Sequence, residues 1–190
     1  MTINDKDNKS ASGLNHAMLF AWGPGFWLGI RFILETLQLQ YSWLAVVRWL
    51  LTLYILFSFY TATVHYKYSV LDGKITFGKA YLHILQLAIL ASLVGTLIKW
   101  LYLQWFDNGY LKSIYDMAMP LFEKILPNHV DELEGSLKSL LTPVRFAVNS
   151  MFSDIFMSAF FGLLLAPLAV KAKNFIPDED NSDENDNNNE

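Results

Sequence analysis

Four apolar segments constrain the fold of this chain more than any other feature. A helix of about 20 mostly apolar residues crosses the hydrocarbon core of a bilayer, and each segment reaches that length. Lys74 and Lys79 precede the third segment and Trp105 follows it, and such flanks are typical of transmembrane helices. The sequence predicts an all-α, polytopic membrane domain over residues 14–173, with transmembrane helices at about 16–37, 43–64, 80–104 and 146–170.

The link between the third and fourth predicted spans, residues 106–145, has a helical pattern of its own. Apolar residues recur at helical spacing on both sides of Pro127 and Asn128, which we expect to end one helix and to cap the next. We predict two amphipathic helices in an extracytoplasmic link. They either lie on the bilayer and cover the bundle or form a docking surface for a partner.

Both ends of the chain are predicted to be disordered and cytosolic. Residues 1–13 contain too little apolar surface to fold alone. Residues 174–190 are acidic, and Asp178 to Glu190 holds seven carboxylates but no Lys or Arg. Lysines flank the spans next to both termini and in the link between the second and third spans, whereas the link between the first and second has none. This asymmetry places both termini in the cytosol.

Two local patterns bear on how the spans pack. Gly23-Pro24-Gly25 interrupts the first span, and because proline removes a donor and clashes with the preceding turn, we expect a kink or a re-entrant start there. Small residues four positions apart allow helix backbones to approach closely, which favours a packed four-helix bundle and is compatible with a dimer. These pairs are Ser58 and Ala62, Ala91 and Gly95, and Ser158 and Gly162.

Five ionisable residues inside the predicted spans form a candidate intramembrane polar cluster. Counting about 1.5 Å per residue from the outer ends places all of them in the outer leaflet: Arg31, Glu35, Arg48, Lys99 and Asp154. Arg31 and Glu35 are four residues apart and can pair on one helix face. One interpretation is a polar pocket that opens outward and, with three cations against two anions, favours an anionic ligand. The other is a set of structural ion pairs, with Lys99 and Arg48 snorkelling to the interface.

The remaining polar residues exclude several classes of function. There is no cysteine, so disulfides and thiolate chemistry are excluded, and no basic patch indicates nucleic acid. The histidines His16, His65, His83 and His129 lack metal-ligand spacing, and His83 with Gln86 is interpreted as interhelical packing rather than a proton relay. With no catalytic motif recognisable, we expect neither an enzyme nor a cofactor.

The pattern from Tyr66 to Ala80, with its Gly73-Lys74-Ile75-Thr76-Phe77-Gly78-Lys79-Ala80 entry to the third span, resembles the bacterial family catalogued as domain of unknown function 4199 (DUF4199). The Asp107-x-Gly109-Tyr110-Leu111 exit is similar to that family as well, and the resemblance covers about residues 22–173. It implies a small multi-pass protein of the bacterial inner (cytoplasmic) membrane. It implies no activity, cofactor or catalytic residues.

Two functional hypotheses follow. The first is a non-enzymatic scaffold or accessory subunit for a membrane partner, with Lys67, Lys74 and Lys79 as a candidate cytosolic contact; those lysines also suit anionic headgroups. The second is a small-solute transporter or channel subunit that uses the outer-leaflet polar cluster. The expected partners are the lipid bilayer and either another membrane protein or a second copy of the chain.

Overall fold

The computed structural model describes residues 3–106, 109–125 and 129–173, with the side chains of residues 3–11 left out of the description. All regular structure in these ranges is helical: α1 (Ile3–Leu37), α2 (Leu44–Ser69), α3 (Phe77–Trp105), α4 (Tyr110–Ile125), α5 (Val130–Leu140) and α6 (Pro143–Lys171). The acidic tail, residues 174–190, lies outside the described residues, and so do Pro127 and Asn128.

Four of these helices are long and apolar enough to cross a membrane, which confirms the predicted fold class. They are α1 from Ser12 onward, α2, α3 and α6. The helices extend past the apolar segments. α6 starts at Pro143, because Thr142 is extended and proline suits the first helical position. The backbone of α1 is helical from Ile3, within the segment for which we predicted a disordered leader.

The first helix runs through Pro24 without a break, so the predicted re-entrant start is wrong. Its tightest packing is against α3. A Cβ added at Gly25 would lie 2.8 Å from the carbonyl oxygen of Ala91, and one at Gly29 would lie 2.6 Å from Ile98. On the facing helix, Gly95 has the Cβ of Leu28 2.9 Å from its own virtual Cβ. Small residues on both helices therefore set a close α1–α3 crossing, as in the small-xxx-small pattern.

The two link helices lie at one end of the bundle, called here the α4–α5 end. Tyr110 and Leu111 pack onto Phe32 and Leu103, whereas α5 buries none of its residues. The two helices are joined by Tyr115, whose hydroxyl donates to Glu134 Oε1 at 2.8 Å. Hydrogen bonds from Lys138 and Tyr115 hold the pKa of Glu134 below its usual value. The predicted pair of amphipathic helices is confirmed.

The opposite end of the bundle is held by Lys67. Its ammonium donates to the carbonyl oxygens of Val170 at 2.9 Å and Ala172 at 2.7 Å, and the Tyr68 hydroxyl donates to Ala172 at 2.8 Å. The last carbonyls of a helix have no intrahelical donor. Lys67 therefore caps α6 and joins it to α2.

Candidate functional site

Asp154 is the centre of the polar cluster, where α1, α3 and α6 meet. Arg31 Nη2 donates to Asp154 Oδ1 at 2.9 Å, and Lys99 Nζ donates to Asp154 Oδ2. Lys99 also donates to Ser150 Oγ at 3.1 Å. The Asp154 side chain is 9% exposed and that of Lys99 is 2% exposed. A carboxylate that is this little exposed is stabilised because two cations and their hydrogen bonds compensate its desolvation.

Glu35 is the second acidic residue of the cluster, and it links α1 to α2 and α4. Its Oε2 lies 3.5 Å from Arg48 Nη1, and its Oε1 accepts a hydrogen bond of 3.3 Å from the Tyr110 hydroxyl. Burial and the adjacent Glu35 carboxylate raise the pKa of Tyr110, which keeps the phenol protonated as a donor. The charged cluster is thus in contact with the surface helix α4.

The structure brings all five predicted cluster residues together but pairs them differently from the sequence expectation. Arg31 pairs with Asp154, 123 residues away, rather than with Glu35. Lys99 does not snorkel, because it is buried in the bundle with its ammonium 5.8 Å from the centre of the Phe32 ring. Spacing along one helix could show which side chains share a face. It could not show which other helix faces them.

A cavity of about 290 Å³ adjoins these charges, between α1, α2 and α6. One part of its wall is charged: Arg31, Glu35, Arg48 and Asp154. Thr52, Ser153 and Ser158 add hydroxyl groups, and the rest is apolar: Leu28, Ile55, Leu56, Phe59, Met157 and Phe161. The wall therefore offers both an ionic and an apolar surface to a ligand.

The guanidinium groups in this wall have more donors than the described residues use. Each guanidinium carries five N–H donors. The Nε atoms of Arg31 and Arg48 are buried, and neither has a hydrogen-bond partner among the described residues. Both carboxylates are already engaged, Asp154 by two cations and Glu35 by Arg48 and Tyr110. The arrangement can accept a further anion more readily than a further cation.

A larger cavity of about 490 Å³ lies between α2 and α6 near the Lys67 cap. Phe57, Tyr60, Leu165 and Leu168 dominate its wall, and Lys171 and Lys173 stand at its edge. We regard the smaller cavity as the better candidate site, because polar groups from three helices converge on it.

The three lysines of the candidate cytosolic contact do not share one surface. Lys74 and Lys79 are exposed, whereas Lys67 is 5% exposed and bonded to the end of α6. Lys67 therefore differs from the expectation, because its ammonium satisfies helix carbonyls instead of facing the cytosol.

A group of histidines is the feature that the sequence did not reveal. His16, His65 and His83 are distant in sequence, but their rings meet at the end of the bundle that holds the Lys67 cap. Within the described part of the chain, no set of three or more His, Cys, Asp or Glu side chains is arranged to hold a metal ion. A weak signal existed, since each histidine lies at the same end of its predicted span.

The family model described as "Protein of unknown function (DUF4199)" matches residues 17–171. No curated protein and no solved structure matches the chain.

Proposed function

We propose that this chain, which belongs to the DUF4199 family, is a membrane protein that binds a small anionic solute between α1, α2 and α6 as a transporter or channel subunit. The observation that carries the proposal is the pair of buried guanidinium Nε donors, on Arg31 and Arg48, that have no partner among the described residues in the wall of the 290 Å³ cavity. We also propose that it resides in the bacterial inner membrane with both termini cytosolic. Lysines flank the spans at the end of the bundle that carries the termini, and such lysines mark the cytosolic side.

Charge and hydrogen bonding support an anion as the ligand. Arg31, Arg48 and Lys99 face only two carboxylates, Glu35 and Asp154. An intramembrane charge costs at least about 2.5–3.5 kcal/mol at mid-depth on insertion scales. An uncompensated cation there gains from an anion, and a planar guanidinium binds carboxylate or phosphate oxygens in a bidentate manner. Arg48 is the best candidate, because its contact with Glu35 is long at 3.5 Å.

The shape of the cavity narrows the ligand class. A volume of about 290 Å³ is near the lower end for small-molecule sites. Beyond the charged groups, the wall continues as Leu28, Ile55 and Phe59. A short carboxylate with an apolar tail would place its charge against Arg48 and its tail against these side chains. Chloride or another bare inorganic anion would leave the apolar part unused.

The proposal can be tested with butyrate as the probe and chloride as the comparison at equal ionic strength. We expect butyrate to raise the melting temperature of the purified full chain in detergent and to cross reconstituted vesicles that contain it. Arg48→Gln should reduce both effects at least tenfold. Lys74→Gln is the matched control, since Lys74 is an exposed cation remote from the cavity.

Replacement of Arg31 or Glu35 gives a second test, because both line the same cavity. Arg31→Gln should abolish flux, and Glu35→Gln, which removes the carboxylate partner of Arg48, should strengthen butyrate binding. Both proteins should still express and purify as monodisperse species. Unchanged flux in the Arg31, Glu35 and Arg48 variants would reject the anion site. Loss of flux that occurs only together with loss of folded protein would reject it as well and would leave the charges a structural role.

A scaffold or accessory subunit is the second candidate function, and the exposed parts of α4 favour it. Met117, Leu121 and Ile125 are large apolar side chains left exposed on that helix, and the exposed Lys74 and Lys79 lie at the other end of the chain's bundle. Cross-linking and mass spectrometry after purification in mild detergent distinguish the two candidates. A stoichiometric partner held through residues 109–125 or 74–79 would favour the scaffold, and recovery of the chain alone would favour the solute site.

A further inference from the structure

Three transmembrane helices each bring one imidazole to the same place at the end of the bundle opposite α4 and α5. His16 Nε2 on α1 lies 2.9 Å from His65 Nδ1 on α2. The ring centre of His83 on α3 lies 5.2 Å from that of His16. These residues are 49 and 67 positions from His16 in the chain, so only the folded bundle creates the group.

The three rings differ in solvent exposure, so the group has a buried side and an exposed side. His83 is 2% exposed and His16 is 8% exposed, whereas His65 is exposed. Both nitrogens of His83 and Nδ1 of His16 are buried without a hydrogen-bond partner among the described residues. Buried polar atoms normally have partners. Nδ1 of His16, on the ring that contacts His65, is therefore a buried nitrogen that can take a further proton.

Two aromatic rings and one hydroxyl group lie against the imidazoles. Phe20 stacks on His16 with ring centres 4.4 Å apart, and Tyr66 stacks on His83 at 4.1 Å. Aromatic faces stabilise a cation without holding it permanently, as a carboxylate would. The hydroxyl of Ser69 lies 3.3 Å from His65 Nδ1. No carboxylate contacts the three rings among the side chains that the structure describes.

The nearby fixed cations do not occupy the group. Lys67, next to Tyr66 on α2, directs its ammonium to the carbonyls at the end of α6. Lys79, one turn before His83 on α3, is exposed. On α1, the described ring in contact with His16 is that of Phe20, which carries no charge. The imidazoles and the Tyr66 phenol are thus the titratable groups in contact with one another.

We infer that His16 and His65 share a binding site for a single proton, loaded through the exposed His65 ring, with His83 as a neutral ring beside them. In the neutral pair one N–H is shared between His16 Nε2 and His65 Nδ1. An added proton binds a free ring nitrogen of the pair and converts that contact into a charge-assisted hydrogen bond. A second proton, on His83, is disfavoured because two like charges would lie about 5 Å apart. The site does not depend on the proposed anion cavity.

Nuclear magnetic resonance of the full chain with ¹⁵N-labelled histidine, in lipid nanodiscs, tests this inference directly. His129 is an internal reference, since it is the exposed residue that precedes α5, outside the bundle. We expect His16 and His65 to titrate with a common midpoint and to take up one proton between them, whereas His83 stays neutral over that range. Independent titration of His16 and His65 at unrelated midpoints would overturn the proposal without the need for any variant.

A substitution adds a second, separate readout. His65→Gln keeps a polar group at an exposed position but removes the ring that accepts the proton. We expect the His16 midpoint to move by about one pH unit or more, as for strongly interacting sites, while His16 still takes up one proton. His129→Gln is the matched control and should leave the His16 curve unchanged. A His16 curve that is the same with Gln at position 65 would contradict the shared site.

Discussion

Replacement of Asp154 should cost this protein more stability than loss of any other single charge in the polar cluster. The change Asp154→Asn keeps the shape of the side chain and removes its charge. Two cations then lose their common partner: Lys99, which is 2% exposed, and Arg31, which reaches Asp154 at 2.9 Å. Arg31 borders the cavity and can be reached by water or solute. Lys99 does not line that cavity and retains only Ser150 as a described partner.

The magnitude follows from that uncompensated ammonium. Removing one partner of a buried ion pair costs about 3–5 kcal/mol, because the other charge stays desolvated. For a chain of this length about 1 kcal/mol corresponds to 2–4 °C in melting temperature, so Asp154→Asn should lower it by roughly 6–20 °C. Lys99→Met should cost less, since Asp154 would keep its contact with Arg31. The cost of the double variant should be smaller than the sum of the two single costs by about 0.5–3 kcal/mol.

The assay is thermal unfolding of the purified chain and the three variants in one detergent, followed by circular dichroism at several heating rates. Glu35→Gln is the matched control, because Glu35 is a more exposed carboxylate in the same cluster. A melting temperature within about 2 °C of the parent for Asp154→Asn, or strictly additive costs in the cycle, would refute the reasoning. Either result would mean that Lys99 is hydrated or finds another anion.

Two further substitutions test how the helices are held together. Gly25→Ala should destabilise the chain by about 1–3 kcal/mol, because the new methyl group would meet the Ala91 carbonyl at 2.8 Å. Gly23→Ala is the control, since nothing lies within 4 Å of a Cβ added there. Equal melting temperatures for the two variants would contradict the close crossing. Lys67→Met should speed amide hydrogen exchange in the last turn of α6, since the two carbonyls that the ammonium caps lose their donor. Lys74→Met is the control and should leave that exchange unchanged. Unchanged exchange in the Lys67 variant would disprove the cap.

Hydropathy was sufficient to predict the four spans, because a segment of 26 or more residues with few charges has no other stable arrangement in a membrane protein. Helix ends were predicted less well. α2 continues to Ser69, past the apolar segment, since Lys67 and Tyr68 bond to the end of α6. That tertiary contact leaves no trace in the local pattern.

The candidate site was predictable in membership but not in pairing. Depth along each span is a property of one segment, so it located Arg31, Glu35 and Lys99 in the same layer. Which helix faces which is decided by close contacts such as Gly25 against Ala91. The histidine group shows the same limit. No spacing within one segment relates His16 to His65, and only the α1–α2 packing brings them within 2.9 Å.

The second helix is the least buried of the four spans: 17% of an apolar 18-residue stretch is buried inside the bundle, against 39% for both α1 and α3 and 28% for α6. The glycine crossing and the Asp154 contacts join α1, α3 and α6 into one unit. The α2 helix forms a further wall, which Lys67 and Tyr68 hold to the end of α6. Arg48 and His65 are both carried by that wall, one near each membrane face. One helix therefore contributes a side chain both to the wall of the cavity and to the histidine group.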